Sequence, residues 1–232
     1  MGAVVVLAGG VPHAHDFPAI ATSIVAAVRH IDGHADDVDL VDHPDQLVEV
    51  LTSRVDVLVV DALFWPMVGD AYDSWRPRWA YSAPHVTRAA ITEFVANGGG
   101  LVALHTAAIC FDDWPEWGDI VGGSWRWGVS SHPPFGRVCA RVVADHPVTA
   151  GLSSTFELHD EVYGDMFVRS HVDVLAVAKR TVDDADQPVL WAHHYGRGRV
   201  VYNGFGHDAA SIEHPANMQI LTQAINWVRG GT

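Results

Sequence analysis

Short apolar runs alternate with helix-period segments over the first hundred residues. Residues 4–8 form an unbroken apolar run ended by Gly9 and Gly10, which predicts a buried strand. Behind Asp16 and Pro18, Ile20, Ile24, Val28 and Ile31 recur at helical spacing, a capped amphipathic helix closing near Gly33. A short helix opening at His43-Pro44 carries Leu47, Val48 and Leu51, and residues 55–60 form a second apolar strand ending at Asp61. Residues 84–97 return to the helical period through Ile91, Phe94 and Val95. Gly98, Gly99 and Gly100 then release the chain into a third apolar strand at 101–104, with His105 at its end. From Arg137 the pattern turns to β at 138–143, 174–178, 189–193 and 199–203, the last two joined around Tyr195-Gly196-Arg197-Gly198. A closing helix starts at Pro215, with Met218, Leu221, Ile225 and Val228 facing inward. This order predicts an α/β fold: a doubly wound, mostly parallel sheet with a β-rich antiparallel edge, right-handed crossovers and one core.

Two stretches fit neither period. Residues 64–84 hold Trp65, Tyr72, Trp75, Trp79 and Tyr81, and residues 111–135 hold Trp114, Trp117, Trp125 and Trp127. Both are too aromatic for disordered linkers, so they read as ordered loops over the sheet edge. Large flat rings with one donor suit stacking on a sugar, with Trp65 and Trp114 as candidates. The same rings would equally serve a satellite core or a homo-oligomer contact.

Composition narrows the partners. Fourteen Lys and Arg against 28 Asp and Glu leave a formal charge of −14, which repels phosphate backbones and anionic lipid, so neither nucleic acid nor membrane is expected. Two cysteines, Cys110 and Cys139, show no paired spacing and suggest a reducing compartment. The amino-terminal apolar run has no basic flank and breaks too early for a leader or a spanning helix, which points to a cytoplasmic protein. There is no GxGxxG after a strand, no GxxxxGK[ST], no GxSxG and no HExxH.

Histidines carry the candidate chemistry. If the strands at 4–8, 101–104 and 200–203 share a sheet, their ends bring His13, His15, His105, His207 and Asp208 to one edge. His105 occupies an elbow-like strand-to-turn position, where imidazole suits acid–base work or metal binding. His13-Ala14-His15-Asp16 has HxH spacing, although Asp16 also fits a helix cap. In His159-Asp160-Glu161-Val162-Tyr163, a strand would put Glu161 on one face with His159 and Tyr163 and turn Asp160 away. His132, before two prolines, is stiffly mounted.

One series of motifs runs over nearly the whole chain. It comprises Gly9-Gly10 with His15-Asp16, the stretch 98–105, Asp113-Trp114-Pro115-Glu116 with Gly122-Gly123, His132-Pro133-Pro134-Phe135 and the stretch 145–152. It continues through Asp160-Glu161-Val162-Tyr163, Tyr195-Gly196-Arg197-Gly198-Arg199-Val200, Gly206-His207-Asp208 and Glu213-His214-Pro215. Together these resemble the ThuA-like family, named for trehalose utilisation, within the class I glutamine amidotransferase-like superfamily. The resemblance implies one domain over residues 1–232, a flavodoxin-like sheet and a role in carbohydrate metabolism. The elbow bears His105 where amidotransferases have cysteine, and no His-Pro-Glu follows, so glutamine hydrolysis is not expected. The Trp-rich stretch at 64–84 departs from the family pattern and reshapes the pocket.

The combined expectation is an enzyme acting on a disaccharide or an oxidised (keto) sugar. His105, Glu161, His207 and Asp208 would be catalytic, while His15, Trp65, Trp114, His132 and Tyr163 would bind substrate. His105 and His207 are also candidate ligands for a divalent metal, zinc foremost. The rivals are a non-catalytic sugar-binding or assembly module on the same fold, and a thiol enzyme using Cys110.

Overall fold

A computed structural model describes residues 3–12, 14–31, 38–52 and 54–230. Eleven strands occur among them: β1 (Ala3–Gly10), β2 (Val38–Val41), β3 (Val55–Leu63), β4 (Gly100–Leu104), β5 (Gly123–Ser124), β6 (Gly136–Val142), β7 (Thr155–Asp160), β8 (Phe167–Val168), β9 (Asp173–Ala178), β10 (Gln187–Tyr195) and β11 (Gly198–Asn203). Nine form one sheet in the order β2-β1-β3-β4-β11-β10-β9-β6-β7, and β5 pairs with β8 separately. The first five run parallel; every pairing from β11 onward is antiparallel. The expected mostly parallel sheet with a β-rich edge is therefore present in its coarse form, a large mixed sheet covered by helices.

The helices are α1 (Phe17–Arg29), α2 (Leu47–Val50), α3 (Arg76–Trp79), α4 (His85–Ala96), α5 (Pro115–Val121), α6 (Ala209–Glu213) and α7 (Pro215–Val228). Period-two alternation decides which face each strand residue serves. Val4, Val6, Val102 and Leu104 pack with Ile20, Ile24, Ile220 and Ile225 of α1 and α7. Val5, Leu7, Leu101 and Ala103 pack with Leu47, Ile91, Val95 and Ile120 of α2, α4 and α5. Parallel strands buried on both faces read as continuous apolar runs, which is why β1, β3 and β4 are conspicuous in the sequence.

Four strands have no counterpart in that reading: the two-residue β5 and β8, and β2 and β7. β2 keeps only Val41 buried, and β7 alternates exposed and covered positions at the sheet's far edge. Short, half-exposed edge strands leave a weak pattern. The helix opening at His43-Pro44 is a single 3-10 turn followed by α2.

α7 lies so close to β4 that a methyl added at Gly100 would approach the Val228 side chain to 2.7 Å and its carbonyl to 2.8 Å. Overpacking of this kind costs about 1–3 kcal/mol. Gly100→Ala should lose about that much in urea unfolding, with an unchanged denaturant slope.

Candidate active site

The parallel strands deliver their side chains to one edge. β4 ends in a buried 3-10 turn that His105 opens at φ 38°, a left-handed conformation that a residue with a side chain holds only when its surroundings enforce it. β11 and the residue just past it supply that enforcement. The Tyr202 hydroxyl donates to the His105 carbonyl at 3.0 Å, and His105 Nδ1 donates to the Gly204 carbonyl at 2.9 Å. Because a carbonyl only accepts, Nδ1 carries a proton and Nε2 is the working nitrogen. It faces the Tyr163 hydroxyl at 3.0 Å and Glu161 Oε2 at 3.6 Å.

Glu161 is the hub. Besides His105, its carboxylate meets His132 Nδ1 at 3.2 Å and His207 Nδ1 at 3.4 Å. The residue lies just past the end of β7, and Asp160 puts it there. Asp160 Oδ1 accepts the Glu161 amide at 2.7 Å, while Oδ2 accepts the Gly206 amide at 2.8 Å and the Ser211 hydroxyl. The end of β7 is thereby tied to the turn after β11. The expectation that Asp160 faces away is corrected: the inward series of β7 is Phe156, Leu158 and Asp160, and His159 is the exposed one.

His15 enters from the loop after β1. Its Nδ1 donates to the His207 carbonyl at 3.0 Å, and its ring stands edge-on to His105 and His207 at centroid separations of 5.2 and 4.6 Å. From β3 comes Asp61, fully buried, whose Oδ1 accepts the Thr106 hydroxyl at 2.9 Å and whose Oδ2 has no hydrogen-bond partner among the described residues.

These contacts set the charges. Burial opposes an imidazolium at His105, but the Glu161 carboxylate beside it and the charges of Asp160 and Asp61 prevail, carrying its pKa up to about 9. Burial also pulls Glu161 upward, yet His105, His132 and His207 outweigh it and hold the carboxyl far below its ordinary range. Burial, joined by the charge of His105, pushes His15 down to about 4. Burial lifts Asp61 to about 7 against the pull of His105 and Thr106. Neighbouring groups with such divergent tendencies are the usual mark of a reactive centre.

Above this cluster lies a pocket of about 290 Å³, walled by Trp65, Tyr72, Trp75, Trp125 and Trp127 and floored by His15, His132, Glu161, Tyr163 and His207. The indole N–H groups of Trp65 and Trp125 are buried without a hydrogen-bond partner among the described residues. The two aromatic stretches therefore do meet here, tied by the Phe111 amide donating to the Phe64 carbonyl at 2.7 Å.

Of the anticipated residues, the structure gathers His15, Trp65, His105, His132, Glu161, Tyr163 and His207. Asp208 and Trp114 lie elsewhere. Asp208 caps α6, its Oδ1 accepting the Ser211 amide at 2.7 Å. Trp114 is buried against Phe111 and Trp117 on the sheet's other side. His13 lies outside the described residues. Asp61, Asp160, Trp125 and Trp127 join the site beyond the expected set; a carboxylate closing an apolar strand was the available signal for Asp61.

The family model described as trehalose utilisation matches residues 6–228. The chain belongs to the ThuA family. No curated protein matches the sequence. Among solved structures, a ThuA-like protein from Parabacteroides merdae superposes with a TM-score of 0.76 at 21% identity, covering 99% of this chain and 91% of its own. A ThuA-like protein from Bacteroides uniformis gives 0.69 at 20% identity over 97% and 91% of the two chains. A β-galactosidase from Rahnella sp. R3 gives 0.63 at 14% identity over 98% of this chain and 31% of its own. These likenesses establish a shared fold, and ThuA membership suggests a carbohydrate-related role. No helix among the described residues is long and apolar enough to cross a membrane.

The placement of Cys110 does not suit a nucleophile. Cys110 is buried behind the elbow, its sulfur accepts the Phe64 amide at 3.4 Å, and burial pushes its pKa up far beyond the reactive range. Cys139 is exposed. A thiol-specific chromogenic reagent should therefore titrate one cysteine in the native protein and two after denaturation; two fast-reacting thiols in the native state would reopen the cysteine reading.

Proposed function

We propose that this ThuA protein acts on a disaccharide or keto-sugar by acid–base chemistry at Glu161, His105 and His207. The observation that carries the reading is Glu161, an ionised carboxylate held among three imidazoles at the floor of an indole-walled pocket. A sugar ring has two apolar faces and a rim of hydroxyls. Trp65, Trp75, Trp125 and Trp127 offer faces for stacking, and the unsatisfied N–H groups of Trp65 and Trp125 offer donors for hydroxyl oxygens. The dimensions suit one or two sugar rings of a small glycoside.

In this reading His207 accepts a proton from the bound sugar and protonated His105 returns one from Nε2 to the departing or carbonyl oxygen, while the ionised Glu161 orients both imidazoles. Tyr163 steadies His105 through its 3.0 Å hydrogen bond, and His132 closes the rim over Glu161. We assign the parallel half, β2-β1-β3-β4-β11, to the flavodoxin-like class, whose ligands sit beyond the carboxyl ends of the strands where the order reverses. His15 after β1 and Asp61 in β3 flank that reversal. The ThuA affiliation supports carbohydrate as the substrate class.

Calorimetric and NMR binding screens with disaccharides and their 3-keto derivatives, followed by product analysis, test the proposal. Glu161→Gln should lower turnover by about 10²–10⁴-fold while weakening sugar binding far less. Trp125→Ala should act oppositely, weakening binding with a smaller effect on turnover. Sugar binding with no turnover in any pairing would make the protein a binding module instead.

A further inference from the structure

The three histidines at the pocket floor are arranged as blades around one axis. Their rings stand edge-to-face, with centroids 5.2, 4.6 and 5.5 Å apart and interplanar angles of 82°, 71° and 83° for the pairs His15–His105, His15–His207 and His105–His207. One nitrogen of each lies within 4.8 Å of the other two. Core packing alone has no need to converge three nitrogens from three loops of distant sequence.

The surroundings of the Nδ1 atoms are the second observation. His15 Nδ1 donates to the His207 carbonyl at 3.0 Å, His105 Nδ1 donates to the Gly204 carbonyl at 2.9 Å, and His207 Nδ1 stands 3.4 Å from Glu161 Oε2. A metal-bound imidazole almost always gives its other nitrogen to a backbone carbonyl or a carboxylate, which fixes the ring and sets which nitrogen is free. His15 and His105 are oriented in that manner and present Nε2 inward, whereas His207 Nδ1 has no hydrogen bond among the described residues and faces the Glu161 carboxylate.

Charge is the third. Asp61, Asp160 and Glu161 surround His105, and Asp61 Oδ2 is buried with no hydrogen-bond partner among the described residues. The pocket lining contains no lysine or arginine. A concentration of carboxylates with no lysine or arginine beside it favours a bound cation.

We propose that His15 and His105, through Nε2, and His207, through one ring nitrogen, bind one zinc-like divalent cation, leaving a position open toward the pocket. Once the ion displaces the proton on His105 Nε2, three imidazole nitrogens and an open site are the donor set that borderline ions such as zinc prefer over calcium or magnesium. The hydroxyl of Tyr163, now on His105 Nε2, would then turn toward the open position. The site itself does not depend on the sugar proposal; the use of the ion to polarise a sugar oxygen rests on it.

Chelator-stripped protein titrated with Co²⁺ tests the site by visible absorption, with zinc content after equilibrium dialysis as a second measure. The expected result is one ion per chain and a rise in thermal midpoint on adding zinc. His15→Ala and His207→Ala should each weaken binding at least about tenfold and abolish the thermal response. His207 is partly exposed, so its variant should fold, as circular dichroism would verify. Absence of stoichiometric Co²⁺ binding, or equal binding by wild type and both variants, overturns the proposal. Sugar binding measured on the stripped protein reports separately on the carbohydrate reading.

Discussion

The site depends on the carboxylate of Asp160. Its two oxygens collect the Glu161 amide, the Gly206 amide and the Ser211 hydroxyl, joining the last residue of β7 to the turn that follows β11. In the sheet those strands are separated by β10, β9 and β6. Without the tie, Glu161 would belong to a far-edge loop and the imidazoles would lack their counter-charge. Hydrogen bonds to a buried carboxylate are worth about 1.5–3 kcal/mol each, and leaving one unmade exposes the full cost of desolvation. The same carboxylate that positions Glu161 also adds to the field on His105.

Backbone restrictions follow from this crowding. Gly206 has φ 144°, and a methyl there would come within 3.1 Å of Asp61 Oδ2 and 3.5 Å of the His105 Cβ. His105 itself takes φ 38°, held by Tyr202 and Gly204. Strain at the elbow is stored because the surrounding packing leaves no other choice, a common feature of reactive positions.

Much of this frame was legible in the sequence, for a reason that also explains what was not. β1, β3, β4 and β11 are buried on both faces and announce themselves as apolar runs; the histidines that terminate β4 and follow β11 stand out against them. β7 carries three exposed residues in six, so Asp160 looked like the outward member of a polar strand when it is the inward one. Asp61 was masked because β3 continues past it to Leu63, and one carboxylate in an apolar strand resembles a strand end. Trp114 and Trp125 have the same chemistry on the page, yet one fills the core beside Trp117 and the other lines the pocket. Which indole goes where is decided by α5, whose short helix turns Trp114 and Trp117 toward the sheet before the chain returns to the rim.

The two clamps on His105 come from Tyr202 of β11 and from Gly204 just past it, nearly a hundred residues further along the chain. Contacts of such long sequence separation close late, after the intervening loop entropy has been overcome. During synthesis the imidazole thus has no fixed orientation until the last strand has threaded in beside β4. The reactive geometry is a property of the finished sheet, and a chain released early would present the histidine without its aim.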